Sequence, residues 1–152
     1  MASGIKHAEI SKALAIPVCG ITAAVTGDIA LGVAAALGCF AGVPLSPDLD
    51  ICGPTHPKNH MIRKWGLVGW VWSIYWLPYG RKMKHRYWLG HTPILGTTCR
   101  LAYLFLPLVV VGTAVWPELW LWAGWVARVP HTWAWVAGLA ISDALHWIMD
   151  YW

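Results

Sequence analysis

An apolar run over residues 13–45 is interrupted near its middle by Gly27 and Asp28. As one continuous helix, this run would place the Asp28 carboxylate near the centre of a bilayer, at a cost of about 2.5–3.5 kcal/mol. A turn avoids that cost, because glycine favours the end of one helix and aspartate caps the start of the next. We therefore predict two helices, at about 7–26 and 29–45, that form a hairpin with both ends on the same side of a membrane.

The composition of the chain favours a membrane protein. Of its 152 residues, 58% are hydrophobic and 12% are charged, whereas soluble domains carry about 25% charged residues. The 13 tryptophans are of the type that collects at bilayer interfaces. The length allows a single integral-membrane domain, residues 1–152, with no separate soluble domain. The four cysteines show no paired spacing, so we interpret them as reduced, small apolar residues.

Positive charge is concentrated beside the apolar runs. Seven of the eleven lysines and arginines lie between positions 48 and 93, and Lys6 and Lys12 flank the first run. The positive-inside rule predicts that both segments, and with them the N-terminus, are cytoplasmic. Such a basic collar also suits anionic lipid. Because no nucleic-acid-binding motif accompanies the charge, we expect the lipid bilayer and not nucleic acid as a partner.

The middle of the chain has two unlike parts. Residues 44–60 contain Gly53 and several prolines, which predict that this segment has no regular helix. Residues 65–79 are rich in tryptophan and have basic residues on both sides. Fifteen residues are few for a membrane span, which needs about 20, so we predict a short aromatic helix that lies in the membrane interface.

A third long helix is predicted over residues 93–116. Thr92 suits its N-cap and Pro93 its first position. Arg100 lies close enough to the start of this helix for its long side chain to reach the membrane surface. The predicted fold class is therefore all-α: a polytopic membrane helical bundle of about four spans, plus the short interfacial helix.

The last segment, residues 119–152, contains Pro130 and forms either one kinked helix or two helices. As one kinked helix it climbs back about 40 Å to His146, which nearly matches the about 35 Å of the preceding helix. His146 and the polar residues near it are then at the cytoplasmic face. Two separate helices around Pro130 are expected to leave His146 inside the membrane.

Several acidic and histidine residues interrupt the apolar pattern. Asp143, His146 and Asp150 lie at i, i+3 and i+7, within about 60° of one helix face. Buried carboxylates and imidazoles are costly unless they are paired or bind a metal, and an Asp–His hydrogen bond is the other interpretation. Asp48 and Asp50 are two residues apart. In an extended segment both carboxylates face one way and repel each other unless a cation lies between them.

The predicted topology collects these groups at one membrane face, together with His7, His85 and His91 at the ends of other helices. Three or four imidazoles with two to four carboxylates suit Zn²⁺, or Mn²⁺ or Fe, and could hold more than one ion. The remaining histidines fit less well. We expect His56 and His60 in a loop, and His131 at a helix break away from this face.

The order of these motifs resembles a known family. Ser-Pro-Asp-Leu-Asp at 46–50, Trp-Leu-Pro-Tyr at 76–79 and the two segments His-Arg and His-Thr-Pro within 85–93 are similar to motifs of the metal-binding membrane proteins known as DUF2227. More distantly, the chain is similar to membrane-bound metal-dependent hydrolases of the LexA-regulated inner-membrane type, and through them to zinc-dependent phospholipases C. The resemblance implies that Asp50 and Asp143 are near neighbours of a metal site. The ligands that it implies are His7, Asp48, His85, His91, His146 and Asp150.

Two functions are consistent with these residues and are stated as hypotheses. The first is a membrane-embedded metal-dependent hydrolase for a phosphoester or lipid-like substrate, at the cytoplasmic face of a bacterial inner or thylakoid-type membrane. Asp50 or Asp143 would act as general base or orient a ligand histidine, and Lys82, Lys84 and Arg86 would hold an anionic group. The second is a non-catalytic metal-binding membrane protein that acts as a small subunit, as a partner of a larger complex or as a homo-oligomer. Metal transport is disfavoured, because the acidic residues gather at one face and do not line a path.

Overall fold

The computed structural model describes residues 4–83 and 88–151, and within these residues the chain is helical and contains no strand. The predicted all-α class is therefore confirmed. In chain order the helices are α1 (Gly4–Thr26), α2 (Ile29–Ala41), a 3₁₀ helix η1 (Pro47–Asp50), α3 (His56–Trp65), α4 (Leu67–Tyr75), α5 (Leu77–Lys82), α6 (Trp88–His91), α7 (Pro93–Val115), α8 (Leu119–Val126) and α9 (Pro130–Tyr151).

The predicted turn between the first two helices is confirmed. Gly27 ends α1 in the left-handed conformation, with φ 69°. The Asp28 carboxylate then accepts hydrogen bonds from the backbone N–H groups of Ala30, at 2.7 Å, and Leu31, at 3.4 Å. Helix α2 ends at Ala41, earlier than predicted, because the next residues form the turns that lead into η1.

Helix α9 packs against α1, α2 and α7. It approaches α2 through glycines: a Cβ at Gly38 would overlap the backbone of Trp135, and a Cβ at Gly138 would overlap the backbone of Ala35. The Cys39 thiol donates to the Gly138 carbonyl at 3.2 Å across the same contact. Small residues that allow such close backbone approach are common where helices associate in membranes.

The aromatic segment 65–79 is not one continuous helix. Gly66, with φ 53°, separates α3 from α4, and Trp76 separates α4 from α5. Trp65 and Trp70 are exposed, but Trp76 is fully buried. The second half of the predicted interfacial helix therefore belongs to the core, where one cluster joins Leu45, Leu49, Trp76, Tyr79 and Leu139.

Residues 44–60 are more helical than predicted. Pro47 begins η1, and Pro57 lies in the first turn of α3. Proline is tolerated at both positions, because the first N–H groups of a helix have no acceptor within that helix. The prediction that residues 44–60 contain no regular helix is therefore wrong for η1 and for the start of α3.

Residues after position 118 form two helices, α8 and α9, with α9 beginning at Pro130. The 22 residues of α9 extend about 33 Å, close to the about 35 Å of the 23-residue α7. His146 lies only about 24 Å along α9, but its ring centroid is 5.6 Å from that of His91, which directly precedes the start of α7. The prediction attached this outcome to one kinked helix. The short α8 packs beside the end of α7 and adds little to the return path.

Two of the described helices, α1 and α7, are long and apolar enough to cross a membrane. The 13 residues of α2 extend only about 20 Å, less than the about 30 Å of a hydrocarbon core. Helix α9 has the length, but its second half carries the histidine and carboxylates described below. The predicted count of four spans is therefore not confirmed.

Candidate metal centre

Five of the six implied metal ligands meet at one end of the bundle. His7 lies in the first turn of α1, Asp48 in η1 and His91 at the end of α6, while His146 and Asp150 lie in the last two turns of α9. They meet because the starts of α1 and α7 and the end of α9 share this end. The three imidazoles are at most 6% exposed, and the side chains of Asp150 and Asp48 are 6% and 17% exposed. These five residues are called the His/Asp cluster below.

Asp150 lies at the centre of the His/Asp cluster. Its Oδ1 is 3.3 Å from Nε2 of His7, and its Oδ2 is 2.7 Å from Nε2 of His91 and 3.5 Å from Nε2 of His146. Nε2 of His146 is also 3.4 Å from Oδ1 of Asp48. The rings of His7 and His146 stack with centroids 3.8 Å apart. Three imidazoles and two carboxylates thus converge on a common volume.

The separations between these atoms fit a shared metal ion. Two ligands that each lie about 2.0–2.1 Å from a tetrahedral zinc ion are about 3.3 Å apart. The nitrogen–oxygen distances of 2.7–3.5 Å lie around this value. One ligand atom each from His7, His146 and Asp150 also lies within 4.8 Å of the other two. These distances are compatible with a cation held between His7, His146 and Asp150, with His91 and Asp48 close by.

Two imidazole nitrogens of the cluster support this interpretation. In the part of the chain that the structure describes, Nδ1 of His7 is buried without a hydrogen-bond partner, and Nε2 of His146 is buried with two carboxylate oxygens at 3.4 and 3.5 Å but no hydrogen bond of good geometry. A buried polar atom without a partner costs about 1–3 kcal/mol. Nε2 of His146 faces the carboxylates of Asp48 and Asp150, so a cation at this point would satisfy the nitrogen and reduce the repulsion between the two acids.

Asp48 and Asp50 have separate neighbours. The prediction that both carboxylates face one way is wrong, because the segment is not extended and the 3₁₀ turn of η1 directs them differently. Asp48 reaches His146, whereas Oδ2 of Asp50 lies 3.5 Å from Nδ1 of His91. A carboxylate behind the second nitrogen of a histidine is the usual arrangement for orienting a metal-binding imidazole.

The histidines also stabilise the ionised form of Asp48. Burial by itself raises the pKa of this carboxyl, but the adjacent His146 ring, and the His7 and His91 rings further away, lower the pKa below its ordinary value. Asp48 therefore supplies an anionic oxygen at the most exposed side of the His/Asp cluster.

Asp143 lies one helical turn from His146 but binds different residues. Its carboxylate accepts hydrogen bonds from the Arg100 guanidinium and the Thr97 hydroxyl, and Arg100 and Asp143 are 0% and 1% exposed. The prediction that Arg100 reaches the membrane surface is therefore wrong, because a buried carboxylate on α9 pairs with it. Sequence reasoning missed Thr97 and this role of Arg100. The available signal was the single arginine of the apolar helix α7 together with an aspartate in the second half of α9.

The remaining predicted residues lie elsewhere. Lys84, His85 and Arg86 are outside the described residues, and Lys82 is exposed at the end of α5. His131 is exposed at the start of α9, away from the cluster, as predicted. His56 and His60 lie on α3 and not in a loop, with ring centroids 6.0 Å apart.

The fold and the cluster together define an all-α protein with a buried candidate metal centre at one end of a helical bundle. The chain belongs to the family described as "Uncharacterized metal-binding protein (DUF2227)", whose model matches residues 2–152. The resemblance seen in the sequence is thereby confirmed for this family. Searches of curated proteins and of solved structures gave no match.

Proposed function

We propose that this protein binds a divalent metal ion at the His/Asp cluster within a membrane. The observation that supports this most strongly is the convergence on Asp150 of His7, His91 and His146 from three separate helices. Because buried carboxylates and imidazoles are costly without a partner, a cation provides the simplest reason for their assembly. The matched family is described as metal-binding, which agrees with this proposal.

Zinc is the ion that the donor set fits best. The five donors are imidazole nitrogens and carboxylate oxygens, which zinc accepts at short distances, and Mn²⁺ or Fe use the same donors. The cysteines lie elsewhere: Cys39, for example, is bonded to a backbone carbonyl between α2 and α9. With five donors and a sixth implied ligand in His85, more than one ion can be accommodated.

The proposed location in a membrane rests on the outer surface of the helices. Along α1, Ile16 and Val25 are 80% and 81% exposed, and Val115 at the end of α7 is 85% exposed. Large apolar side chains in such numbers are unusual on a surface that faces water. The positive-inside rule favours the cytoplasmic side for the cluster, because Lys6 adjoins His7 and seven further basic residues lie between positions 48 and 93.

We further propose that the metal centre supports hydrolysis of a phosphoester or lipid-like substrate. A bound ion of this type lowers the pKa of a coordinated water and polarises a phosphoryl or acyl oxygen. Two features favour this function. Asp50 lies behind His91, where it can orient the imidazole, and Asp48 is partly exposed, so its side of the cluster is the one most open to water. Lys84 and Arg86, near His85 in the chain, are candidates to hold the anionic group.

The burial of the cluster favours a second function, in which the metal is structural. Four of the five donor side chains are no more than 6% exposed, and structural zinc sites are closed by protein ligands. In that case the protein is a small subunit or a homo-oligomer whose helix ends are held together by the metal. The two functions differ in whether one coordination position is open to water.

Metal analysis of the purified protein tests the shared basis of both functions. We expect a stoichiometric transition metal in the wild type and its loss in the His146→Ala and Asp150→Ala variants. The His131→Ala variant is the matched control, because this histidine lies on the same helix, α9, but away from the cluster. A wild type that binds no metal after supplementation, or a His131→Ala variant that loses it equally, would refute the site.

Enzyme assays then separate the two functions. Loaded wild-type protein and the Asp50→Ala variant are compared on phosphodiester and phospholipid substrates in mixed micelles. Turnover by the wild type that falls in the variant supports hydrolysis. A loaded wild type without turnover on either substrate class, but with a metal that exchanges only slowly, supports the structural role.

A further inference from the structure

We propose that Arg100, Asp143 and Thr97 act as positioning residues for the metal centre, by holding the turn that carries His91 against the helix that carries His146. The inference rests on the proposed metal binding and extends it to three residues outside the His/Asp cluster. They form a buried network between α7 and α9.

The network contains a fully buried pair of opposite charges. Arg100 and Asp143 are 0% and 1% exposed, and the guanidinium donates from Nη2 to the Asp143 carboxylate. The Thr97 hydroxyl donates to the same carboxylate oxygen. From its other terminal nitrogen, Nη1, Arg100 donates to the backbone carbonyl of Gly90 at 3.0 Å. One guanidinium therefore connects α9 with the backbone of α6.

Both ends of this connection are next to the His/Asp cluster. Gly90 directly precedes His91, and Asp143 lies one helical turn before His146. The bond from Arg100 to the Gly90 carbonyl thus restrains the peptide that carries the His91 ring. The bond to Asp143 anchors the guanidinium on the face of α9 that carries His146 and, one turn later, Asp150, so that His91 is held in place relative to these two residues.

The fit around the Gly90 carbonyl is close as well as polar. Gly96 of α7 lies against this carbonyl, so a Cβ at position 96 would overlap the Gly90 oxygen and would lie 3.3 Å from Nη1 of Arg100. The oxygen therefore occupies a recess formed by a glycine and a guanidinium. Such a recess sets the position of α6 more strictly than apolar contacts do.

Stability alone does not account for this network. A buried ion pair can often be replaced by apolar side chains of similar volume without loss of stability. Apolar side chains cannot, however, bind a carbonyl in a defined direction. Fixing the His91-bearing turn relative to α9 is the role that requires these polar groups, and residues that orient metal ligands typically change metal affinity when they are replaced.

The test uses the double variant Arg100→Leu/Asp143→Leu, which removes both charges and leaves neither buried alone. We expect its helix content and its elution in detergent to match the wild type. Its affinity for Zn²⁺, measured by competition with a chromophoric chelator, should fall by about tenfold or more. The control is Tyr103→Phe, which removes a hydroxyl bond to the Tyr75 carbonyl between α7 and α4. We expect this variant to keep the affinity of the wild type.

A second variant, Gly96→Ala, keeps both charges and displaces the Gly90 carbonyl directly. We expect the same loss of zinc affinity, so the proposal stays testable if the double variant does not fold. In a His91→Ala background, the Leu/Leu replacement should change zinc affinity less than twofold, because the network acts through His91.

The outcomes distinguish this inference from the proposed function. Wild-type affinity in the folded double variant or in Gly96→Ala would overturn the positioning role while the wild type still binds zinc. An undiminished effect in the His91→Ala background would also overturn it, because the loss would then be structural. If the wild type itself binds no zinc, the metal site is refuted, and the positioning role with it.

Discussion

Asp150 is the residue on which the His/Asp cluster depends most, because both of its oxygens have imidazole neighbours. Oδ1 lies beside His7, and Oδ2 lies beside His91 and His146. A single carboxylate at the end of α9 thereby meets imidazoles from the start of α1, from the end of α6 and from the preceding turn of α9. Loss of this side chain would leave three buried imidazoles without their shared anionic neighbour, and a fully buried polar group needs such a partner.

Asp50 is expected to tune the centre from behind His91. Replacing it with asparagine keeps the size of the side chain but removes the charge that faces Nδ1 of His91. We predict that Asp50→Asn lowers zinc affinity by about 10–100-fold without abolishing binding. Asp28→Asn, at the far end of α1 and α2, is the control and should bind as the wild type does. Equal affinities for the wild type and Asp50→Asn would contradict the orienting role.

Tyr79 makes a prediction at alkaline pH. Burial raises the pKa of its hydroxyl from 10.0 to about 12, because the phenolate is disfavoured in the core. The contribution of Tyr79 to stability is therefore complete below pH 10 and is lost as pH rises through 12. The loss amounts to about 2–3 kcal/mol. In unfolding experiments between pH 9 and pH 12, Tyr79→Phe should lose less stability than the wild type, and parallel curves would show that Tyr79 does not contribute.

Close backbone contact determines how the elements pack. At Gly38 and Gly138, helices α2 and α9 approach until a Cβ has no space, whereas Gly20 on the outer part of α1 has nothing within 4 Å of the position that a Cβ would take. Glycine is therefore required at position 138 of α9, where a Cβ has no space, but not at position 20 of α1. This contact brings α9, with its histidine and carboxylates, alongside the hairpin that carries His7.

The two kinds of glycine predict opposite effects of one substitution. Gly138→Ala should destabilise the protein by about 1–3 kcal/mol, because the added methyl group forces the helices apart. Gly20→Ala should be neutral or stabilising by up to about 1 kcal/mol, because alanine favours the helix. Thermal unfolding in detergent, followed by circular dichroism, measures both. A Gly138→Ala variant as stable as Gly20→Ala would show that the α2–α9 contact is loose.

For the whole molecule, the metal is expected to act as a connection between distant parts of the chain. The donors come from α1, η1, α6 and α9, so an ion bound to them stabilises only the folded arrangement. At a metal concentration of 100 times the dissociation constant, binding raises the free energy of unfolding by about 2.7 kcal/mol.

Removal of the metal should therefore lower the temperature of unfolding. We predict that a chelator destabilises the wild type reversibly, that added zinc restores its stability, and that the His146→Ala variant responds to neither. His131→Ala should behave as the wild type does. A chelator effect of the same size in His146→Ala would assign the stabilisation to a different site.

The sequence predicted the secondary structure best where the local rules are strong. Gly27 and Asp28 marked the turn, and Thr92 and Pro93 marked the start of α7, because caps and turns depend on a few adjacent residues. It failed over residues 44–60, where Pro47 and Pro57 lie in the first turns of helices. It also failed at Trp76, since a tryptophan that suits an interface can equally fill a core.

The sequence by itself determined that the chain is helical and largely apolar and that it turns at Gly27, because these properties follow from composition and local spacing. The candidate metal ligands were predicted from polar residues that interrupt the apolar pattern, and the resemblance to a family implied the same set. Only the tertiary structure decided which of those residues meet. Their convergence depends on the packing of α9 against α2 and α7, through contacts such as Thr97–Asp143 and Cys39–Gly138 between residues 46 and 99 positions apart. For the same reason, the partner of Arg100 and the separate neighbours of Asp48 and Asp50 could not be predicted from the sequence.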